Sequence, residues 1–127
     1  MQIMNKFSGI VKKHIGRGKT LGFPTANLEI DGGAEEGVYC GFVVLVPEQS
    51  TRPSLIFIGA PKTFGETDKK AEVFILDFSG DLYDKELKVE LVKKLRGNIK
   101  FESQEKLIEQ MKEDEKKARL FFNNLNL

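Results

Sequence analysis

Apolar and polar residues alternate along most of this chain, and then the spacing changes near its end. In 87–95, Leu87, Val89, Leu91 and Leu95 share one parity while Lys88, Glu90 and Lys94 share the other, which predicts a strand with one buried and one wet face. Similar β-branched and aromatic runs occupy Phe7 to Val11, Gly37 to Val46, Leu55 to Ile58 and Glu72 to Phe78, between Gly, Pro and Asp punctuation. A barrel or a sandwich of antiparallel strands follows. After residue 100 the apolar positions are Leu107, Ile108, Met111, Ala118 and Phe122, preceded by Ser103 as an N-cap and Glu105 in the first turn. That spacing predicts one amphipathic helix packed on the sheet. Asp114 interrupts the apolar stripe and is read as its edge.

No linker, repeat or low-complexity tract divides the 127 residues. A single domain over 1–127 is expected, with the barrel at about 5–100 and the helix at about 103–122. Lys plus Arg number 20 against 19 Asp plus Glu, a net charge of +1, so no global field gathers nucleic acid. Nothing approaches the roughly 18 apolar residues of a membrane span, nor does the start read as a signal peptide. The expectation is a cytoplasmic protein without nucleic-acid or membrane partners. The single cysteine, Cys40, lies in GVYCGFVVLV and reads as a core residue, and the single histidine, His14, beside Lys12 and Lys13, as a surface one.

GRGKTLGFPTAN, residues 16 to 27, contains Gly18-Lys19-Thr20, the end of a phosphate-binding P-loop pattern. The pattern's first glycine should stand at position 13, which is Lys13, and Gly22 and Pro24 prevent the helix that a P-loop needs. A P-loop is excluded on those grounds. Gly16, Gly18 and Gly22 still permit close backbone approach to an anion, and Arg17 and Lys19 supply charge, although an ordinary surface loop has the same composition. Pro24 stiffens the following stretch, and in extended backbone Thr25 and Asn27 project to the same side. A hydroxyl and an amide carbonyl pointing together suit Mg²⁺, which takes oxygen ligands and completes its shell with water and nucleotide phosphate; the same pair also closes turns.

A phosphoryl acceptor needs a group to take its proton. In Glu72-Val73-Phe74-Ile75-Leu76-Asp77-Phe78, alternation puts Glu72 on the face of Phe74, Leu76 and Phe78. If that face looks inward, Glu72 stands at the mouth of the core, where partial desolvation favours a base. The other face, with Val73 and Ile75, is also apolar, so a solvated strand-end glutamate is equally compatible.

Taken together, FSGIV, GRGKTLGFPTANLE, GVYCGF, the IG followed by TFGET, AEVFILDFSGDLYDKELKVEL, LRGNIKF and the helix from Asp114 to Ala118 resemble the riboflavin kinase family, including the kinase module of bacterial bifunctional FAD synthetases. The resemblance implies a mainly β fold: a small closed antiparallel barrel, Greek-key-type and about six-stranded, with a C-terminal helix. It implies transfer of the γ-phosphoryl group of ATP to the 5′-hydroxyl of riboflavin, giving FMN and ADP, with Mg²⁺ or another divalent cation as cofactor. Thr25 and Asn27 match the residues that bind the metal and nucleotide phosphates, and Glu72 matches the catalytic base. The loop of Gly16, Arg17, Gly18, Lys19, Gly22 and Pro24 would cover the nucleotide, and the segment around Arg96 to Phe101 would lie near the flavin, with Arg96 and Phe101 as its binding residues. For Arg96, a surface cation ending a strand is the competing reading.

Two positions depart from the family pattern. Lys62 separates Pro61 from Thr63 where relatives read PTF, and Asp84 stands where many have the glycine of DLYGK. A monomer is expected, either a free-standing kinase or an excised domain, without the nucleotidyltransferase module that makes FAD. The competing classes are a non-catalytic flavin- or nucleotide-binding barrel and an oligonucleotide-binding barrel, the latter disfavoured by the charge balance and the absence of Trp.

Overall fold

The computed structural model describes residues 4–12, 25–30, 34–46, 48–59, 69–78, 80 and 82–125. Six strands, β1 (Asn5–Ile10), β2 (Ala26–Ile30), β3 (Gly37–Val46), β4 (Ser50–Gly59), β5 (Lys69–Ile75) and β6 (Glu86–Arg96), precede one helix, α1 (Gln104–Asn123). They form one sheet in the order β1-β6-β3-β4-β5-β2, and every pairing is antiparallel. Strands β3, β4 and β5 are consecutive neighbours and β6 returns beside β3, which is Greek-key connectivity. The sheet curls until its edges meet. Closure between β1 and β2 among the described residues is a single bridge, in which the Lys12 amide donates to the Asn27 carbonyl at 2.8 Å.

Alternation fills the barrel. Leu28, Ile30, Val43, Ile56, Ile58, Ala71, Val73, Ile75, Leu87, Val89 and Leu91 form the interior with Tyr39 and Leu45, closed by Phe7, Phe78 and Leu82. Burying each such aliphatic side chain contributes about 1.5–3 kcal/mol, so this interior dominates stability. A second apolar layer lies outside the barrel, where Val38, Cys40, Leu55 and Leu76 meet Ala118, with Phe57, Phe74, Leu95, Phe121 and Phe122 packed around them. Helix α1 covers that layer. Cys40 is fully buried there, and burial pushes its thiol up to about 11, so it stays neutral.

The alternation expected through Leu95 stops at Leu91. Register shifts between Val38 and Tyr39 and between Cys40 and Gly41 give β6 two additional residues opposite β3. Lys94 consequently pairs with Tyr39, while Leu95 joins the outer layer instead of the interior. Strand β2 was not anticipated from the alternation, β4 begins at Ser50 instead of Leu55, and β5 ends at Ile75 instead of Phe78. Asp77 adopts a left-handed conformation (φ 55°) and turns the chain, so Phe78 swings round to cap the interior. Pro53 is tolerated within β4 because it lies beyond the β5 ladder, which begins at Ser54.

Ser103 caps α1 by accepting from the Lys106 amide at 3.2 Å, as its sequence position predicts. Met111, Asp114 and Ala118 are the buried helix positions, so Asp114 lies at the centre of the apolar stripe and not at its edge. Arg119 ties the helix to the end of β5, donating to Glu115 at 2.9 Å and to Asp77 at 3.0 Å. The Arg119 hydrogen bond holds the Asp77 carboxyl below the usual carboxylate range.

Gly41 has no room for a side chain between β3 and β6: a Cβ there would run into the Glu90 carbonyl oxygen and meet the Ile56 Cδ1 at 2.9 Å. The obstacle is backbone, which cannot step aside. Gly41→Ala is expected to destabilise the barrel by about 1–3 kcal/mol, lowering Tm by several degrees in thermal denaturation.

Candidate active site

The sheet register builds the site. Asn27 on β2 stands directly opposite Glu72 on β5, Glu72 opposite Phe57 on β4, Phe57 opposite Val38 on β3, and Val38 opposite Arg96 on β6. Cross-strand partners share a face, so these residues form one transverse row on the outside of the barrel. At about 4.8 Å per strand the row is roughly 19 Å long. Glu72 therefore lies on the outer face with Phe74, and Val73 and Ile75 point into the barrel. The inward placement conditionally read for Glu72 is corrected: the apolar surroundings on its side come from the helix-covered layer, not from the barrel interior.

A cavity of about 200 Å³ opens along this row. Its barrel wall is Thr25, Val38, Phe57 and Glu72; the opposite wall is Arg96, Asn98, Ile99, Phe101, Leu107 and Met111, from the end of β6, the crossover and α1. The volume is below the roughly 300 Å³ usual for a whole drug-sized ligand and suits part of one, such as an aromatic ring system between Phe57 and Phe101. Asn98 is held by donating to the Ile58 carbonyl at 3.1 Å. Ile99, 52% exposed, gives the opening an apolar lip.

Polar chemistry gathers at the β2–β5 end. Asn27 is buried, and the Thr25 hydroxyl oxygen is buried with no hydrogen-bond partner among the described residues. Such an orphaned oxygen costs roughly 1–3 kcal/mol unless something absent from the polypeptide meets it. Among the described residues no group of three His, Cys, Asp or Glu could hold a metal. The Thr25 hydroxyl and the Asn27 amide at this end are neutral oxygens, of the kind that fits a hard cation drawing its remaining ligands from water and phosphate.

At the other end, Arg96 meets Asp114. Arg96 Nε donates to Asp114 Oδ1 at 2.9 Å and Nη2 donates to Oδ2 at 2.7 Å, while Gln110 Nε2 donates to Oδ1 at 3.0 Å. The Asp114 side chain has no exposure and that of Arg96 keeps 15%. Arg96 Nη1 also donates to the Gly97 carbonyl at 3.0 Å, and the guanidinium carbon lies 5.9 Å from the Phe101 ring centroid. Arg96 is thus not a free surface cation: three of its five N–H donors are engaged, and it still lines the cavity.

Gly16, Arg17, Gly18, Lys19, Gly22 and Pro24 lie outside the described residues, as do His14 and Lys62. The structure brings together Thr25, Asn27, Glu72, Arg96 and Phe101 from the sequence-predicted set. Asn98 and Ile99 fall within the segment expected near the flavin, whereas sequence reasoning missed Asp114, Gln110 and Met111 as site residues; the available signal for Asp114 was a charge at an i, i+3, i+7 apolar helix position. Asp84 lies in an exposed turn (φ 67°), its amide donating to the Val11 carbonyl at 3.1 Å, and does not line the cavity.

Fold and site define a small antiparallel barrel whose ligand cavity lies outside the barrel, under its helix. Residues 2–122 match the Flavokinase (riboflavin kinase) family, and the chain belongs to that family. It is 40% identical over 118 residues to a trifunctional protein RibF/MnmA of Mycoplasmoides gallisepticum, covering 91% of this chain and 18% of that protein. To a bifunctional riboflavin kinase/FMN adenylyltransferase of Escherichia coli it is 36% identical over 107 residues, 83% of this chain and 34% of the relative. The chain spans between about a fifth and a third of the length of these relatives. A solved riboflavin kinase from Trypanosoma brucei superposes with a TM-score of 0.65 at 22% identity, covering 100% of this chain and 85% of that one, and shares the fold.

Removing one partner of the buried pair strands the other charge. Asp114→Ala should cost about 3 kcal/mol, the low end for a buried pair because Arg96 keeps some water contact, and chemical denaturation should register it.

Proposed function

We propose that the chain is an ATP:riboflavin 5′-phosphotransferase, converting riboflavin and ATP to FMN and ADP. The observation that carries this reading is the register opposition of Asn27 and Glu72 at the polar end of an apolar, aromatic-walled cavity. Family membership supplies the reaction class. The cavity between Phe57 and Phe101 would take the flavin ring system, leaving the ribityl chain to run toward Glu72.

Glu72 accepts the proton of the 5′-hydroxyl as its oxygen bonds to the γ-phosphorus and the bond from that phosphorus to the ADP oxygen breaks. Thr25 and Asn27 would hold Mg²⁺, and the unpartnered Thr25 hydroxyl fits that role. When bound, the ion supplies positive charge that offsets the charge on the nucleotide phosphates. Gly16 to Gly22, with Arg17 and Lys19, would cover the nucleotide, with loop N–H groups and cations supplying the remaining neutralisation.

Glu72→Gln is expected to lower kcat by 10²-fold or more, on the order of the loss of a general base, while the Kd for nucleotide changes little. Chromatographic assay of FMN formation with riboflavin, ATP and Mg²⁺ gives the first quantity and calorimetry the second; equal loss in both would remove Glu72 from the chemical step. In the same assay, Asn27→Ala should raise the Mg²⁺ concentration for half-maximal rate several-fold, on the order of 1 kcal/mol or more for a lost ligand. Saturable flavin binding without FMN formation by the wild type would replace the kinase reading with a binding barrel.

A further inference from the structure

Six of the residues lining the cavity fall in the stretch from Arg96 to Asp114: Arg96 itself, Asn98, Ile99, Phe101, Leu107 and Met111. The ion pair closes this stretch into a loop, joining the last residue of β6 to the third turn of α1. Residues 97–102 have no regular backbone ladder to hold them. Their fastenings are side-chain ones, namely Arg96 to Asp114 and to the Gly97 carbonyl, and Asn98 to the Ile58 carbonyl. The part of the cavity wall formed by Asn98, Ile99 and Phe101 is fastened by these few bonds, beside Leu107 and Met111 on the helix.

Three of the five N–H donors of Arg96 are already engaged, on Asp114 and Gly97. The guanidinium stands on edge against Asp114, held in two directions at once by the bidentate geometry. A buried ion pair is a costly way to gain stability, because desolvation largely cancels its attraction and apolar side chains of similar volume do as well or better. What an apolar pair cannot supply is a fixed orientation.

We propose that the Arg96–Asp114 pair, with Gln110 behind it, is a positioning device: it sets the cavity wall formed by residues 97–101 for the flavin, and Arg96 acts through that wall instead of by contacting the reacting atoms. The proposal rests on the riboflavin kinase reading above and adds to it two positioning residues, Asp114 and Gln110, and an altered role for Arg96.

The deciding experiment replaces the pair by an apolar one, Arg96→Met with Asp114→Leu, in the full chain. Thermal denaturation, KM for riboflavin and KM for ATP are measured for wild type and variant. The pair is removed without stranding a charge, so Tm should stay within about 3 °C of wild type. The KM for riboflavin should rise about tenfold or more as the wall loosens, while that for ATP stays within about twofold. A folded variant with an unchanged riboflavin KM, or with equal rises for both substrates, overturns the proposal and leaves the pair a structural fastening. Should the double variant not fold, Asp114→Asn, which keeps the shape and an oxygen acceptor, is judged by the same split. Absence of FMN from the wild type removes the kinase reading and this proposal with it, whereas normal wild-type turnover with no split removes the proposal alone.

Discussion

The fully buried Asp114 carboxylate and the guanidinium that grips it tie helix α1 to the end of β6 on the outer face of this barrel. Helix α1 could rest on Val38, Cys40 and Leu55 through apolar contact alone, but such contact tolerates sliding and rotation. Two N–H···O bonds in one plane do not. With Gln110 as a third donor the Asp114 oxygens are well satisfied, which a buried carboxylate requires if it is to remain charged. The pair fixes the helix against β6 at one point, and Arg119 with Asp77 ties a later turn to the end of β5. The second tie is exposed and therefore screened, so the buried pair dominates orientation.

The fold also explains why a ligand cavity lies outside the barrel. A barrel of six strands is narrow, and its interior is already filled by aliphatic side chains from every strand except β1, which supplies Phe7 at the margin. The outer face, in contrast, is apolar where α1 lies and polar where β2 meets β5, and the strand register passes continuously from one to the other. Phe57 and Val38 occupy the middle of the row, Asn27 and Glu72 one end, Arg96 the other. An elongated ligand with an aromatic end and a polar end has a matching surface.

How much of this was legible in the sequence depended on whether one rule governed a segment. Alternation along β6 gave the correct buried face from Leu87 to Leu91, and helical spacing with a Ser103 cap gave α1 nearly whole. Past Leu91 the register shifts against β3 take over, and these depend on how closely Gly41 admits the β6 backbone, a contact between distant parts of the chain. The face of Glu72 was ambiguous because β5 is apolar on both sides, one against the barrel interior and one beneath the helix layer; parity alone cannot rank two covered faces. Thr25 and Asn27 were readable as a pair because residues two apart in extended backbone project to the same side. Strand β2 alternates as well, Ala26, Leu28 and Ile30 against Asn27 and Glu29, but over only five residues, too short a run to stand out beside the Gly- and Pro-rich sequence before it. Asp114 was misread for a plain reason: its partner is 18 residues away, and without Arg96 a carboxylate in an apolar stripe looks like the stripe's boundary.

The same geometry separates the two carboxylates near the cavity. Asp114 lies behind the wall, has no exposure, and accepts three hydrogen bonds from fixed donors. Taking a substrate proton would break its pairing with Arg96 and strand that charge, at a cost of several kcal/mol. Glu72 is half-buried, and among the described residues it is the one carboxylate lining the cavity. It also stands in register with Asn27, the side chain proposed to help hold the cation. In the proposed reaction proton acceptance and charge neutralisation are assigned to neighbours on adjacent strands, and orientation of the ring system to a charged pair at the far end of the row. That separation is chemically necessary: a positioning carboxylate must keep its charge throughout a turnover, and a base must lose it once in each.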